Sequence, residues 1–343
     1  MKIALISCNN GLGHLRRLVS LYLFFKKKKL QPTLFAEKQK ILKLINLKQI
    51  KSLSVYEFKS KTSMKNLING EAYNWEKKLP NLDIFEIIIS DNLPDILDIR
   101  KDTILSGSFF WHDTLENINK KIKKKHMSLI SKYNPTIVSS NLFTNTSMKK
   151  YQNIIHVGLF KLNNYILKKN RKRSKKDLLI SIGLGGNLNN DFTIKLINYL
   201  IANKPSFRFE NLWVEPKIYK KSMPKFVKKA DYSNKMFSTL KLAIVRPGIG
   251  TVTELIYNKV PIFCVHEKDN KEMIFNSKII SQNFFGYDFK SISKTTKLIS
   301  EFITNKNKVT FYKQNKKISF SGNEDFYKVI KNKINEKNKH RNT

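Results

Sequence analysis

The sequence predicts an α/β protein of two domains, each a mostly parallel sheet with helices on both faces. Three observations predict it. The chain has 343 residues, which suits two domains of about 150–170 residues each. Short apolar runs alternate with helical patterns in both halves. A polar, basic stretch at 161–176 interrupts the series. Hydrophobic residues make up 41% of the chain, so two cores can form and a disordered chain is excluded.

The elements follow in order. Lys2–Ser7 is an apolar run of strand length that ends at Asn9-Asn10-Gly11. From His14 to about Lys28, Leu15, Leu18, Val19, Tyr22 and Phe25 recur at helical spacing. Further strands are expected at Thr33–Ala36, Leu53–Phe58, Phe85–Ser90, Thr103–Ser106, Thr136–Ser139 and Ile154–Val157. The first domain is read as 1–160 and the linker as 161–176. The second domain, 177–322, opens with the strand Leu178–Gly183 and the helix Phe192–Asn203. Strands at Asn211–Pro216, Leu242–Val245 and Val260–Val265 follow, with helices at about Thr251–Asn258 and Lys271–Asn283. A polar helix from Glu324 to about Lys337 lies in a terminal segment, 323–343.

Charge narrows the partners. Lys and Arg number 65 against 26 Asp and Glu, a net charge of +39, and only eight of the basic residues are Arg. Such a surface attracts anions: membrane headgroups, nucleotides or nucleic acid. Nucleic acid is disfavoured, because no DNA- or RNA-binding signature accompanies the basic runs at Lys26–Lys29, Lys121–Lys125 and Lys168–Lys176. These runs read first as solvated faces and second as contacts for an anionic membrane. Lys26–Lys29 follows the apolar LVSLYLFF, which makes an interfacial anchor if its face is exposed. Cys8 and Cys264 sit in apolar runs and are expected as buried thiols, without disulfide or zinc spacing. No signal-like segment or 18-residue apolar stretch is found, so a cytoplasmic protein is expected, with the inner membrane face as a possible peripheral station.

Four constellations carry candidate chemistry. Gly11-Leu12-Gly13-His14 joins a strand to a helix start, where glycines permit close approach and free N–H groups favour an anion. Arg16 stands where a dinucleotide fingerprint needs its third glycine, which argues against a dinucleotide. His14 is placed to act as a base or to orient a hydroxyl or phosphate. Arg246-Pro247-Gly248-Ile249-Gly250-Thr251 repeats the strand–turn–helix arrangement, with Glu254 one turn in. Glu254 either receives ribose hydroxyls or forms a capping box with Thr251. Gly183, Gly185 and Gly186 follow the first strand of the second domain and suit a diphosphate, or a plain turn. In the first domain, Asp91 and the group Ser108, Trp111 and His112 end two strands on the same edge as His14. They line a second pocket, or serve as cap and core. No Walker loop, HExxH or Ser-His-Asp order is present.

Taken together these motifs resemble the GT-B glycosyltransferase superfamily. The likeness is strongest to the branch holding the lipid-linked GlcNAc transferase of peptidoglycan synthesis, the galactolipid synthases and the UDP-sugar transferases. The N-terminal GLGHLRR also resembles the start of a nucleotide-sugar hydrolase of pseudaminic acid synthesis. The segment RPGIGTVTELIYNKVPIFCVHEKDNKEMIFNS resembles the G-x-x-T-x-x-E…G-x-P…Q-Q-x-x-N-A signature. The resemblance implies two facing Rossmann-like domains with a cleft between them. It places a nucleotide diphospho-sugar, UDP-linked, on Gly183, Gly185, Gly186, Arg246, Gly248, Gly250, Thr251 and Glu254. It places the acceptor in the first domain, with His14 near the reacting centre as base or orienting group. By their position at the same sheet edge, Gly11, Gly13, Ser108, Trp111 and His112 are the candidate acceptor contacts, and Asp91 the candidate assistant of His14. It implies no metal and no cofactor beyond the co-substrate. Lys259 replaces the family glycine before Pro261, one residue removed, and Glu272-Met273 replaces the Gln pair, so Asp269, Asn270 and Glu272 are the candidates for sugar contacts. The expected activity is glycosyl transfer. The alternatives are a nucleotide-sugar hydrolase or epimerase, which would act without an acceptor, and a non-catalytic scaffold, which would not be stabilised by nucleotides.

Overall fold

The computed structural model describes residues 1–10, 12–42, 53–162, 175–182, 190–267, 269–289 and 318–341. The chain divides into two compact units. Unit one is Met1–Tyr165 with Ile318–Thr343, and unit two is Ile166–Lys317. Most of the 161–176 stretch lies outside the described residues.

Unit one is built on a parallel sheet: β1 (Lys2–Ile6), β2 (Gln31–Ala36), β3 (Val55–Glu57), β4 (Ile87–Asp91), β5 (Ile104–Ser106), β6 (Ile137–Ser140) and β7 (Ile154–Val157). Each strand falls on a run expected from the sequence. The order is β3-β2-β1-β4-β5-β6-β7. All of β4 and β1 from Ile3 onward are buried, as befits strands covered on both faces. The register sets Ile6 beside Ser90 and Asp91 beside Ser106. The order reverses between β1 and β4. Connections leave these two neighbours in opposite directions, so their carboxyl ends flank a crevice.

Unit two repeats the plan with β8 (Asp177–Ser181), β9 (Leu212–Val214), β10 (Val227–Lys229), β11 (Leu240–Val245), β12 (Ile262–Val265) and β13 (Gly286–Phe289). The order is β10-β9-β8-β11-β12-β13, all parallel. Reversal here falls between β8 and β11. The strands β10 and β13 were not among those expected. At the opposite edge, the buried Asp177 accepts hydrogen bonds from Trp213 Nε1 at 2.9 Å, Thr239 Oγ1 at 2.7 Å and Asn211 Nδ2 at 2.9 Å. That carboxylate ties three elements together.

The helix Gly13–Lys27 buries Leu15, Leu18, Val19, Leu21, Tyr22, Phe24 and Phe25. This exceeds one stripe because two partners cover it. The sheet takes one side, and the terminal helix Gly322–Arg341 meets Phe24 through Tyr327 and Phe25 through Phe326. Asn323 Nδ2 donates to the buried Ser20 Oγ at 2.8 Å, and Asp325 receives the Gly158 N–H at 3.2 Å. Gly158 and Gly322 touch so closely that a Cβ on Gly322 would stand 2.5 Å from the Gly158 carbonyl oxygen. The apolar face before Lys26–Lys29 is therefore covered, and the expected interfacial anchor there is corrected: its face is core.

Candidate active site

In unit one the loop after β1 is held from a distant segment. Asn9 Nδ2 donates to the Ser60 carbonyl at 3.0 Å, and Asn10 Nδ2 to the Thr62 carbonyl at 2.6 Å. Asn10 Oδ1 receives the Met64 N–H at 2.6 Å. Gly11 lies outside the described residues. The following helix begins at Gly13 with no side-chain cap and no acidic residue in its first turn. A Cβ built on Gly13 would meet nothing within 4 Å. Nothing in the described fold excludes a side chain there, and the space over the helix start is open.

His14 and Arg17 are three residues apart, so one helix face carries both. Both point at Asp91, the last residue of β4, whose side chain is fully buried. Arg17 Nη2 pairs with Asp91 Oδ1. His14 Nδ1 lies 3.3 Å from Asp91 Oδ2. That is ion-pair distance but outside hydrogen-bond alignment, since neither atom has a hydrogen-bond partner. The imidazole therefore turns Nδ1 toward a carboxylate already neutralised by a guanidinium, and Nε2 is its second nitrogen. Trp111 stands 5.9 Å from His14, ring centre to ring centre, and packs edge-on against Phe109 at 5.0 Å.

The other first-unit candidates are placed differently. Trp111 is 5% exposed and sits in the core. Ser108 is buried, and its carbonyl receives the Asn145 N–H at 2.8 Å. His112 joins a separate buried network: its Nε2 is 2.7 Å from the Tyr151 hydroxyl, which donates to Asp113 Oδ2 at 2.8 Å. Burial, helped by His126, Lys150 and Lys123, lowers the His112 imidazole to about 2. It is neutral at physiological pH. Burial, with Asp113 beside it, pushes the Tyr151 phenol up.

In unit two the glycines 183, 185 and 186 after β8 lie outside the described residues. After β11, the helix Ile249–Tyr257 starts from Gly248 with no side-chain cap. A Cβ on Gly248 would also meet nothing within 4 Å. By contrast, the helices Lys120–Tyr133 and Lys271–Gln282 are capped by Asn119 and Asn270. Gly250 and Thr251 lie within the first turn of Ile249–Tyr257. Thr251 is inside the helix, so the capping box with Glu254 does not form; Glu254 is buried. Asn276 Nδ2 holds the loop by donating to the Pro247 carbonyl at 2.9 Å. Arg246 Nε contacts both oxygens of Glu267 at 3.1 Å, so its charge is already balanced. Asn270 spends its side-chain oxygen on the Met273 N–H at 3.1 Å. Asp269 is exposed and Glu272 half-buried. Lys259 has φ of +52°, which explains the resemblance's glycine at this turn. Lys175 braces it by donating to the carbonyls of Asn258 at 2.5 Å and Lys259 at 2.9 Å.

The structure thus brings His14, Asp91 and Gly13 together at one reversal point, and Arg246, Gly248, Gly250 and Thr251 at the other. Arg17 and Glu267 received no role from the sequence. The i, i+3 spacing of His14 and Arg17 was the available signal for the first, whereas Glu267 had none. Among the described residues no group of three or more His, Cys, Asp or Glu side chains is placed to hold a metal ion, and no helix is long and apolar enough to cross a membrane.

Solved structures share this architecture. UGT89C1 of Arabidopsis thaliana in complex with UDP is 11% identical, with a TM-score of 0.60 over 88% of this chain and 90% of that one. The glycosyltransferase of kitacinnamycin is 10% identical, with a TM-score of 0.58 over 89% and 90%. The spinosyn rhamnosyltransferase SpnG is 12% identical, with a TM-score of 0.57 over 88% and 90%. No family model and no curated protein matches the sequence. The fold is that of the GT-B glycosyltransferases, two parallel α/β sheets in one chain.

Proposed function

We propose that this protein is a glycosyltransferase that moves a sugar from a nucleotide diphospho-sugar, UDP-linked, to an acceptor hydroxyl. One observation carries the reading. Each unit places an uncapped helix start and an open glycine at its sheet reversal, and unit one adds a histidine against a buried carboxylate. Unit two is assigned the donor: the N–H groups after Gly248 favour the diphosphate without a metal. Gly250 and Thr251 lie along it, Glu254 serves the ribose, and Asp269, Asn270 and Glu272 serve the sugar. Glycines 183, 185 and 186 complete the donor loop. Unit one is assigned the acceptor, at Gly11 and Gly13 beside His14.

His14 takes the acceptor proton on Nε2 while Nδ1 faces Asp91. The acceptor oxygen bonds to the anomeric carbon, and the bond from that carbon to the diphosphate oxygen breaks. Its electron pair leaves with the diphosphate, whose charge the helix start stabilises. Asp91, paired with Arg17, stands beside Nδ1 and orients the ring. Trp111 packs beside the ring rather than offering an open face, and His112 supports the fold.

The test is thermal stability with UDP, GDP, CMP, dTDP and ADP, since a ligand that binds only the native state raises Tm by mass action. A shift with UDP that is lost in Glu254→Ala supports the donor site. No shift from any nucleotide or UDP-sugar, in folded protein, sinks the reading. Free sugar released from a UDP-sugar without an acceptor would convert it to a hydrolase.

A further inference from the structure

The three basic runs of the sequence have different surroundings in the fold, and the difference singles out one. Lys28 of the first run lies over the rings of Phe24 and Tyr327, beside an apolar face that is already covered. The run 168–176 lies mostly outside the described residues. The second run belongs to the helix Lys120–Tyr133, which turns Ile122, His126, Leu129 and Ile130 inward. Its other face presents Lys120, Lys121, Lys123 and Lys124 to solvent, with Met127 48% exposed among them. Lys120, Lys123, Lys124, Met127, Ser128 and Ser131 form one continuous exposed face of this helix.

No acid compensates this face within its own stretch of chain: between Glu116 and Asp177 the sequence holds no Asp or Glu. The nearby carboxylates of Glu76 and Asp98 are turned to Lys125, at 2.6 Å and 3.0 Å, on the inner flank of the helix. An exposed thioether set among ammonium groups fits a surface that is anionic at its boundary and apolar beneath it. Lysines act as hydrated point charges and lack the fork that grips phosphodiesters in nucleic acids.

We infer that the Lys120–Ser131 face is a docking surface for an anionic phospholipid bilayer, with the four lysines on headgroups and Met127 entering the interface. This holds whether or not the chain transfers sugars, because it needs no nucleotide.

The test is co-sedimentation of the full chain with vesicles of phosphatidylcholine, alone or containing phosphatidylglycerol. One variant changes Lys120, Lys121, Lys123 and Lys124 to Gln. A matched variant changes the exposed Lys26, Lys27, Lys29 and Lys38 to Gln and removes the same charge. The expected result is a loss of at least ~10-fold in binding to the anionic vesicles in the first variant, with the second close to wild type. Equal losses in both variants would assign binding to overall charge and overturn the proposal. So would unchanged vesicle binding accompanied by weaker binding of a single-stranded RNA. A second measurement avoids multiple substitutions. A polarity-sensitive dye on Met127→Cys, the native Cys8 and Cys264 being buried, should shift to the blue with anionic vesicles; no shift overturns the proposal.

Discussion

The two sheet reversals of this molecule share a backbone and differ in what fills it. At both, a helix begins without a cap and with a glycine whose missing side chain leaves open space. Unit one then sets His14, Arg17 and Asp91 in contact at that point. Unit two neutralises its own cation by pairing Arg246 with Glu267 and leaves the helix start itself as the anion-favouring element. The difference teaches that one topological solution can set an imidazole against a buried ion pair at one reversal and leave a bare helix start at the other, without changing the strand order.

Four predictions strain this comparison, from the largest effect to the smallest. His14→Ala should lower turnover by ~10²–10⁴-fold, the range of a lost general base, while the Tm shift given by UDP stays as in wild type. Unaltered turnover would remove unit one's special role. Gly248→Val should do the converse. Its side chain enters empty space, so Tm in the absence of ligand should hold, whereas UDP affinity should drop at least ~10-fold, about 1.4 kcal/mol. Titration calorimetry decides this, and undiminished affinity would move the anion elsewhere.

The third prediction concerns acid stability, which should trace to unit one. Folding lowers the His112 imidazole from 6.5 to about 2. Between these values the unfolded chain binds the extra proton. The contribution is therefore whole above pH 6.5 and is lost as pH falls below it, at about 1.4 kcal/mol per pH unit. Urea midpoints between pH 7 and pH 5 should show that slope and lose it in His112→Gln, which keeps a donor for Tyr151. The smallest effect lies in unit two. Lys259→Gly relieves a left-handed residue, a steric gain of about 1–2 kcal/mol, about half of it offset by glycine's chain entropy of about 0.5–1 kcal/mol. A Tm rise of a few degrees is expected, and a fall would mean that the lysine side chain matters more than its backbone.

What was legible in the sequence follows burial. Central strands such as β1, β4 and β11 are buried along most of their length, and each carries an apolar run: Ile3 to Ile6, Ile87 to Ile89 and Leu242 to Val245. The strands missed, β10 and β13, are the two edges of the second sheet. Val227-Lys228-Lys229 has one apolar residue, and Gly286-Tyr287-Asp288-Phe289 begins with a glycine, because an edge need not be apolar on both sides. The helix Lys120–Tyr133 read only as a basic run, since its lysines hide Ile122, Leu129 and Ile130. At the first reversal His14 and Asp91 were visible, because strand ends and glycine turns are local signals. The pinning of Asn9 and Asn10 by residues 60–64, and the balancing of Arg246 by Glu267, were not, because chain distance carries no mark of contact.

The terminal helix makes unit two an insertion within unit one. During synthesis, residues 166–317 leave the ribosome before Gly322–Arg341 does. The second sheet can close while Ser20, Phe24 and Phe25 of the first unit still lack their partner, and that apolar side stands uncovered for the interval, a hazard for aggregation. Premature termination after residue 317 would therefore damage the part of the molecule made first.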